Sequence, residues 1–230
     1  VYKIYCSNKN KYALKISYDK NYFINEVNIL KKLNNYNKNI IIFYDYFDNL
    51  KNKIYILDFI KDFNFNYFNC IVFELSYKNT LFDFIEFKLN NKYFDSLSVK
   101  NIFSQIASAI KYAHSLNIAH LDLKLENILL YNYDEYKYHV KIIDWGFSYD
   151  YSKNNLINFN RGTKSYIAPE VLFKFYYKPN LVDMWSMGVC IFSCLYGFYP
   201  FEIATNDDYR FNKINYLQNL GKFDTVKEIL

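Results

Sequence analysis

The stretch that decides the fold is HLDLKLEN, residues 120–127. It places a carboxylate at Asp122, an amine at Lys124 and a carboxamide at Asn127, directly before the apolar run at 128–130. These groups suit phosphoryl transfer from a metal-bound nucleotide. An acid can accept a hydroxyl proton, a cation can hold a phosphate, and an amide oxygen can bind magnesium.

A second acidic residue ends the strand pattern that follows. The pattern predicts strands at 128–130 and 140–143, joined by a polar hairpin around 132–135 and ending in Asp144-Trp145-Gly146. A glycine after an acid is common in turns, so this tripeptide alone is a weak signal. Asp144 lies 144 − 122 = 22 residues after Asp122, and a strand–turn–strand of that length returns the chain to its start. We therefore expect both carboxylates to flank one magnesium–nucleotide site.

Downstream, segment 148–165 is polar, rich in asparagine and without a clear period, which predicts a surface loop. The motif GTKSYIAPE at 162–170 closes it, and a strongly apolar helix is predicted at 182–196. Asp183 lies near the start of this helix, where an acid alone usually indicates a cap. Residues 202–230 predict mixed loop and amphipathic helix.

Upstream, the pattern predicts two strands within 1–16 and a helix at 22–33. Lys15 lies in the second strand, and taken alone it indicates a lysine on the solvent face. Glu26 lies beside the apolar face of the helix, and taken alone it indicates a solvated residue. A strand lysine and a helix glutamate can also form an ion pair across a small lobe.

Between these regions, strands are predicted at 39–46 and 70–73, with a strand and a surface insertion at 48–69. The polar residues 74–80 indicate a boundary between two lobes. Helices are predicted at 81–87 and 98–116, and His114 in the latter is expected to be structural.

Composition narrows the class of protein. The 230 residues are 52% hydrophobic with only five glycines and three prolines, which excludes a disordered chain. The net charge of +5 is dispersed, so we expect no nucleic-acid partner. Four cysteines show no metal-ligand spacing, which favours reduced thiols and an intracellular, cytoplasmic location. The longest apolar run, 188–201, is shorter than the roughly 18–20 residues that span a bilayer.

Taken in order, four motifs resemble those of eukaryotic protein kinases. HLDLKLEN is similar to the catalytic loop, DWG to the metal-binding turn, GTKSYIAPE to the end of the activation segment, and DMWSMG to the start of the large buried helix. The resemblance covers essentially the whole chain. It implies an α+β, two-lobed protein kinase-like fold, with a small antiparallel-sheet lobe at 1–75 and a larger helical lobe at 76–230, incomplete at its end.

The resemblance also implies the roles of the central residues. Asp122 would accept the proton of the substrate hydroxyl, Lys124 would contact the transferred phosphate, and Thr163 belongs to the same catalytic set. Asn127 and Asp144 would hold Mg²⁺. Asp183 would brace the backbone of the catalytic loop rather than only cap its helix, and Glu126 would either pair with a basic substrate residue or remain a solvated acid.

The nucleotide site implied by the resemblance binds ATP between the lobes. Lys15 would bind the first two phosphates with Glu26 as its partner, Phe73 would be the gatekeeper, and Glu74 and Leu75 would form the hinge that contacts adenine. The apolar residues that would enclose the nucleotide are Val1, Ala13 and Leu129.

Lys124, Glu126 and Thr163 resemble the serine/threonine type, closest to calcium/calmodulin-dependent kinases, so the expected substrate is a Ser or Thr hydroxyl of a protein. The sequence does not indicate which partner regulates the protein.

The glycine-rich phosphate loop would lie upstream of Val1, because we expect the sequence to be an excerpt. The Lys15–Glu26 interval, 26 − 15 = 11 residues, is short for the family. This leaves a pseudokinase as the alternative, whereas an unrelated interaction module would require four ordered motifs to be coincidental.

Two residues of the resembled family are replaced. Trp145 takes the place of the common phenylalanine, and Leu121 takes the place of an arginine that would bind an activating phosphate. We therefore predict that activity does not depend strongly on a phosphate at Ser148, Ser152 or Ser165.

Overall fold

The computed structural model describes residues 1–5, 11–48, 69–75, 79–89, 95–134 and 137–219. A small lobe built on one antiparallel sheet precedes a larger lobe made mainly of helices. The expected α+β, two-lobed architecture is therefore confirmed. The exact boundary between residues 75 and 76 remains a prediction.

The small lobe contains four strands and one helix. The strands are β1 (Tyr2–Tyr5), β2 (Lys11–Ser17), β3 (Phe43–Phe47) and β4 (Asn69–Glu74), in the sheet order β1-β2-β4-β3. Helix α1 (Lys20–Leu33) connects β2 to β3 and packs on the sheet. Central strand β4 is buried along most of its length, which matches its nearly continuous apolar sequence.

Helix α1 begins and ends at identifiable caps. The Asp19 carboxylate accepts hydrogen bonds from the backbone N–H groups of Asn21 and Tyr22, and Asn34 ends the helix in the left-handed region with φ of 46°. The expected helix at 22–33 is therefore confirmed, two residues longer at its start.

The large lobe contains helices α2 (Leu81–Leu89), α3 (Ser96–Ser115), α4 (Pro169–Leu172), α5 (Pro179–Tyr196) and α6 (Tyr209–Asn219). Helix α3 packs against α5 in the main core, and both carry buried apolar residues at helical spacing. No helix in the described ranges is long and apolar enough to cross a bilayer.

Two short antiparallel pairs of strands frame the catalytic stretch. Strand β5 (Ile118–Ala119) precedes it and pairs with β8 (Tyr149–Asp150), while β6 (Ile128–Asp134) follows it and pairs with β7 (Lys137–Ile142). The predicted return of the chain from Asp122 to Asp144 is thus made by the β6–β7 hairpin.

The strand expected at 39–46 begins four residues late, at Phe43. Asn39 and Ile41 instead exchange backbone hydrogen bonds with Ile142 of β7, at 2.8 and 3.0 Å, so this part of the chain joins the two lobes. The first hairpin turn, the insertion expected at 48–69 and the end of the chain lie largely outside the described residues.

The expectation of a surface loop at 148–165 is correct for residues 152–156 and 158–160, which are exposed, and wrong at the positions that pack against the large lobe. Ser148 is fully buried, Tyr149–Asp150 form β8, and the backbone of Ile157 pairs with Tyr177. Ile157 and Tyr177 are buried with Leu121 in a second apolar cluster. The segment is held to the body of the large lobe because its few apolar residues find partners distant in sequence.

Candidate active site

The catalytic loop brings three predicted residues together. Asp122 is buried, and its Oδ2 lies 2.9 Å from the Lys124 ammonium while its Oδ1 accepts a 2.7 Å hydrogen bond from the Thr163 hydroxyl. Lys124 also donates to Thr163 Oγ1 at 2.8 Å. Because both carboxylate oxygens are engaged, the side chain of Asp122 has one defined orientation.

Asn127 lies in a short 3₁₀ turn, Leu125–Asn127, and is also buried. Its amide nitrogen donates to the carbonyl and the Oδ2 of Asp122, at 2.9 and 3.2 Å. Both amide hydrogens are thus engaged, and the amide oxygen is the atom to which the resemblance assigns the metal ion. The Asn127 carbonyl accepts a 2.9 Å bond from the N–H of Ile143, which ties the turn to the residue before Asp144.

Lys15 lies between two carboxylates. Its ammonium is 2.9 and 2.8 Å from the two oxygens of Glu26 and 2.7 Å from Asp144 Oδ1. The side chain of Lys15 is 25% exposed and that of Glu26 only 3%. The readings of Lys15 as a solvent-facing residue and of Glu26 as a solvated one are therefore wrong, because each charge supplies the partner that permits the other to be buried.

The charges of this cluster shift its pKa values. Burial lowers the pKa of Lys15, but the attraction of Glu26 and Asp144 outweighs it and leaves that pKa above its ordinary value. Burial opposes the ionisation of Asp144, yet the nearby Lys15 lowers the pKa of that carboxyl. Burial raises the pKa of Glu26 against the opposing attraction of Lys15. Lys15 and Asp144 are consequently both charged at neutral pH.

Residues 144–148 form the turn that contains DWG, to which the resemblance assigns metal binding. Asp144 has a left-handed backbone with φ of 60°, and the N–H of Ser148 closes the turn on the Trp145 carbonyl at 3.2 Å. Trp145 is fully buried and its ring meets that of His120 edge-on, with centroids 4.7 Å apart. A Cβ on Gly146 would lie 3.4 Å from Asp144 Oδ1 and 3.6 Å from Glu26 Oε2, which are ordinary contact distances and place Gly146 beside both carboxylates.

Asp183 braces the catalytic loop from α5. Its oxygens accept 2.8 Å hydrogen bonds from the backbone N–H groups of His120 and Leu121, and Nε2 of His114 lies 2.8 Å from Oδ2. Asp183 is therefore not a simple helix cap, and His114 has the structural role expected of it. The bonds to Asp183 stabilise the left-handed backbone of Leu121, whose φ is 61°.

His120 links the loop to the strand that precedes the turn. Its Nδ1 accepts a 3.3 Å bond from the N–H of Asp122, and its Nε2 lies 3.1 Å from the carbonyl of Ile143. These partners place the ring hydrogen on Nε2. Nothing in the sequence pattern indicated this bridge, since the two residues are 23 positions apart.

The Glu126 carboxylate has a neighbour that the sequence did not indicate. The Tyr166 hydroxyl lies 3.2 Å from Glu126 Oε2 and 3.0 Å from the hydroxyl of Tyr199, and it accepts a 3.4 Å bond from the N–H of Leu125. Burial raises the pKa of Tyr166 far above its ordinary value, so its hydroxyl stays protonated and can donate. Glu126 is therefore a bonded loop residue rather than a freely solvated acid.

The residues expected around adenine occupy the end of β4 and its surroundings. Phe73 is buried, and Leu75 follows the strand. Ala13, paired with Phe73 in the sheet, and Leu129 of β6 are half-buried against the main core. Val1 precedes β1 and is 84% exposed, so its contact with nucleotide stays a prediction.

Glu74 joins both lobes through its side chain. The carboxylate accepts a 2.8 Å bond from the N–H of Ile42 and lies 2.6 Å from the ammonium of Lys141. Sequence reasoning missed Lys141, because a lysine between Val140 and Ile142 in a strand pattern indicates a solvent-facing residue, as it did for Lys15.

The donor atoms fit a magnesium ion. The Asp144 carboxylate, 42% exposed, and the amide oxygen of Asn127 are hard oxygen ligands of the kind that Mg²⁺ prefers. Within the described part of the chain, no three His, Cys, Asp or Glu side chains gather as a ready-made metal site. A magnesium ion here would thus depend on nucleotide phosphates for most of its remaining ligands.

Comparison with known proteins shows the family of the chain. The protein kinase domain family matches residues 1–228. Myosin light chain kinase A of Dictyostelium discoideum is 36% identical over 201 residues, which is 84% of this chain and 60% of that protein. NUAK family SNF1-like kinase 1 of Homo sapiens is 32% identical over 177 residues, which is 77% of this chain and 23% of that protein.

A third relative, calcium-dependent protein kinase 5 of Plasmodium berghei, is 40% identical over 138 residues, covering 60% of this chain and 24% of that protein. The chain thus spans from about a quarter to three-fifths of the length of these relatives. Because the family match extends over nearly the whole sequence, the chain belongs to the protein kinase domain family.

Proposed function

We propose that the protein containing this chain transfers the γ-phosphate of ATP to Ser or Thr hydroxyls of protein substrates. The observation that carries the proposal is the Lys15–Glu26 pair, which forms at 2.8 Å despite the short interval between the two residues. That interval was one of two sequence arguments for a pseudokinase, beside the phosphate loop that would lie upstream of Val1. With the pair intact and the catalytic loop complete, every polar group that phosphoryl transfer requires of these motifs is present.

In this proposal Asp122 orients the substrate hydroxyl and accepts its proton. Thr163 and Lys124 hold the Asp122 carboxylate from either side, at 2.7 and 2.9 Å, so that it needs little reorganisation during the reaction. In the same proposal the ammonium of Lys124 neutralises charge that develops on the transferred phosphate.

ATP supplies the phosphoryl group, and Mg²⁺ neutralises charge on the phosphates when it is bound. Members of the protein kinase family generally use both. In this chain we assign Asn127 and Asp144 to the metal ion and Lys15, held by Glu26, to the phosphates. The residues assigned to the rest of the nucleotide are Val1, Ala13, Phe73, Glu74, Leu75 and Leu129.

The second candidate is a pseudokinase that binds nucleotide or partners without turnover. It is favoured if the sequence upstream of Val1 lacks a glycine-rich phosphate loop. A protein substrate fits the family, whereas the dispersed net charge of +5 does not favour a nucleic acid. Cys70, Cys190 and Cys194 are free thiols, which supports an intracellular, cytoplasmic setting.

The experiment uses the full-length protein, Mg²⁺–ATP and a generic basic protein as acceptor. Wild type should phosphorylate the acceptor, and Asp122→Asn should lose most of the rate while keeping its thermal stabilisation by Mg²⁺–ATP, because Asp122 faces the hydroxyl rather than the phosphates. Equal rates for the two proteins would show that Asp122 is not the catalytic acid–base residue. Nucleotide binding without any turnover in wild type would favour the pseudokinase.

A further inference from the structure

Helix α1 holds the metal-binding turn with a residue that no sequence motif indicated. The side-chain amide of Asn25 donates to the carbonyl of Gly146 at 3.0 Å and to that of Ser148 at 2.9 Å. We propose that Asn25 is a positioning residue that fixes residues 144–148 to α1 and thereby keeps Asp144 in place. This inference rests on the proposed function, because it takes the turn to be the part of the site that holds the metal.

The two bonds recognise one conformation of the turn. Both come from a single nitrogen atom, so the carbonyls of Gly146 and Ser148 must point at the same place. They do so while the turn is closed by the bond from the Ser148 N–H to the Trp145 carbonyl at 3.2 Å. An opened turn would separate the two carbonyls, and Asn25 would lose at least one of its partners.

The neighbours of Asn25 on α1 contact the same turn. Tyr22, three residues before Asn25, packs edge-on against Phe147 with ring centroids 5.2 Å apart. Glu26, the next residue, lies beside Gly146 and binds the same lysine as Asp144. Side chains at positions i, i+3 and i+4 share one helical face, so this face of α1 lies against the turn.

The opposite side of the turn is held by the catalytic loop. The hydroxyl of the fully buried Ser148 lies 3.3 Å from the backbone carbonyl of His120. The backbone N–H of His120 in turn donates a hydrogen bond to Asp183. The position of Asp144 is thus fixed from the small lobe through Asn25 and from the large lobe through Ser148. Loss of the Asn25 contact should release only the side that faces α1.

A nearly isosteric substitution separates hydrogen bonding from packing. Asn25→Asp keeps the shape of the side chain but directs carboxylate oxygens at two carbonyl oxygens, and it adds a negative charge near Asp144. Asn25→Ala removes the two donors without adding charge. The matched control is Asn28→Asp, which makes the same chemical change one turn further along α1 at an exposed position.

The first measurement is hydrogen exchange of the full-length protein without nucleotide, followed by mass spectrometry over peptides covering residues 144–150. We expect exchange there to be about tenfold faster in Asn25→Asp than in wild type, a ratio that corresponds to about 1.4 kcal/mol. Asn25→Ala should be accelerated less, and Asn28→Asp should match wild type. Similar melting temperatures would show that the opening is local.

The second measurement is the Mg²⁺ concentration that gives half of the maximal phosphorylation rate. It should rise roughly fivefold or more in Asn25→Asp, which corresponds to about 1 kcal/mol. The KM for the protein acceptor should not change, since Asn25 contacts neither Asp122 nor Thr163. A purely structural role would lower the melting temperature and leave the Mg²⁺ requirement unaltered.

The proposal is overturned if exchange at 144–150 and the Mg²⁺ requirement are the same in Asn25→Asp and Asn28→Asp. If Asn25→Asp does not fold, Asn25→Ala is compared with wild type by the same criteria. The exchange measurement needs no nucleotide, so it tests Asn25 even if wild type proves unable to transfer phosphate. That separate result would overturn the proposed function and not the contact.

Discussion

Turnover should depend weakly on phosphorylation of segment 148–165, because an apolar cluster already holds the segment. Leu121 is buried and belongs to one core cluster with Ile157, Ile167 and Tyr177. The Tyr177 hydroxyl also donates to the carbonyl of Phe159 at 2.6 Å. These contacts connect the catalytic loop to the segment without any charged group.

The possible gain from a phosphate can be bounded. Ser148 is fully buried, so the expectation that it could carry a phosphate is wrong. Ser152 and Ser165 remain as candidate phosphate acceptors. Arg161 already donates to the carbonyl of Phe147 at 3.2 Å, and Lys153 is exposed. An exposed ion pair contributes about 1 kcal/mol or less, which is roughly fivefold in rate.

Truncating the apolar anchor should have a larger effect. Leu121→Ala should cost about 2–5 kcal/mol, because it removes a buried side chain and leaves a cavity. For a chain of this size the melting temperature should fall by roughly 2–4 °C per kcal/mol. Ile106→Ala, in the main core on α3, is the control because it creates a comparable cavity away from the segment.

The first assay compares the turnover of phosphorylated and phosphatase-treated wild type, and mass spectrometry checks how much phosphate segment 148–165 carries. The second compares the turnover of Leu121→Ala and Ile106→Ala at a temperature where each remains folded. Dephosphorylation should change turnover less than about tenfold. Leu121→Ala should lose more turnover than Ile106→Ala at equal folded fraction. A much larger loss on dephosphorylation, or equal turnover of the two variants, would refute the argument.

Three further predictions concern charged residues. In wild type the stabilisation by ATP with magnesium should approach about 2.7 kcal/mol at a ligand concentration of a hundred times Kd. Asp144→Asn should abolish the part of this thermal stabilisation that depends on magnesium. A full magnesium-dependent shift in the variant would contradict the metal assignment. Lys141→Met should lower the urea midpoint, since it leaves the Glu74 carboxylate without its cation at 2.6 Å, and Lys111→Met on α3 serves as the exposed control. Burial opposes the ionisation of Asp150, but hydrogen bonds from Lys32 and Ser152 lower the pKa of its carboxyl to about 2. The ionised carboxylate therefore stabilises the folded protein fully above the usual pKa near 3.8, and this stabilisation is lost as pH falls toward 2. Asp150→Asn should therefore flatten the dependence of unfolding free energy on pH in that window, and an unchanged slope would count against the pair.

The catalytic loop could be predicted because its chemistry is local in sequence. Asp122, Lys124 and Asn127 lie within six residues, and the β6–β7 hairpin returns the chain to Asp144 over a length that can be counted. The geometry among these residues follows from one turn and one hairpin. The spacing of residues along the sequence was therefore enough to predict that Asp122, Lys124, Asn127 and Asp144 lie together.

The burial of charged residues could not be predicted from local sequence spacing. Glu26 and Lys15 each look solvated in their own element, and only their contact makes burial favourable. Part of segment 148–165 was misjudged for a related reason, since Ile157 lies in a short apolar pair with Leu156 and its buried partners Leu121 and Tyr177 are 36 and 20 positions away. Patterns within a window cannot reveal partners outside it.

The short connection after β2 explains why the pair of Lys15 and Glu26 forms at all. Strand β2 ends at Ser17 and α1 begins at Lys20, where the Asp19 cap fixes its start, so few residues between them can vary in conformation. Glu26 then falls on the face of α1 that meets Lys15, and Asn25 next to it reaches the metal-binding turn. A longer connection would let the helix shift without breaking the chain. The brief interval between Lys15 and Glu26 thus limits the positions open to α1, and it favours the arrangement in which Lys15, Glu26 and Asp144 meet.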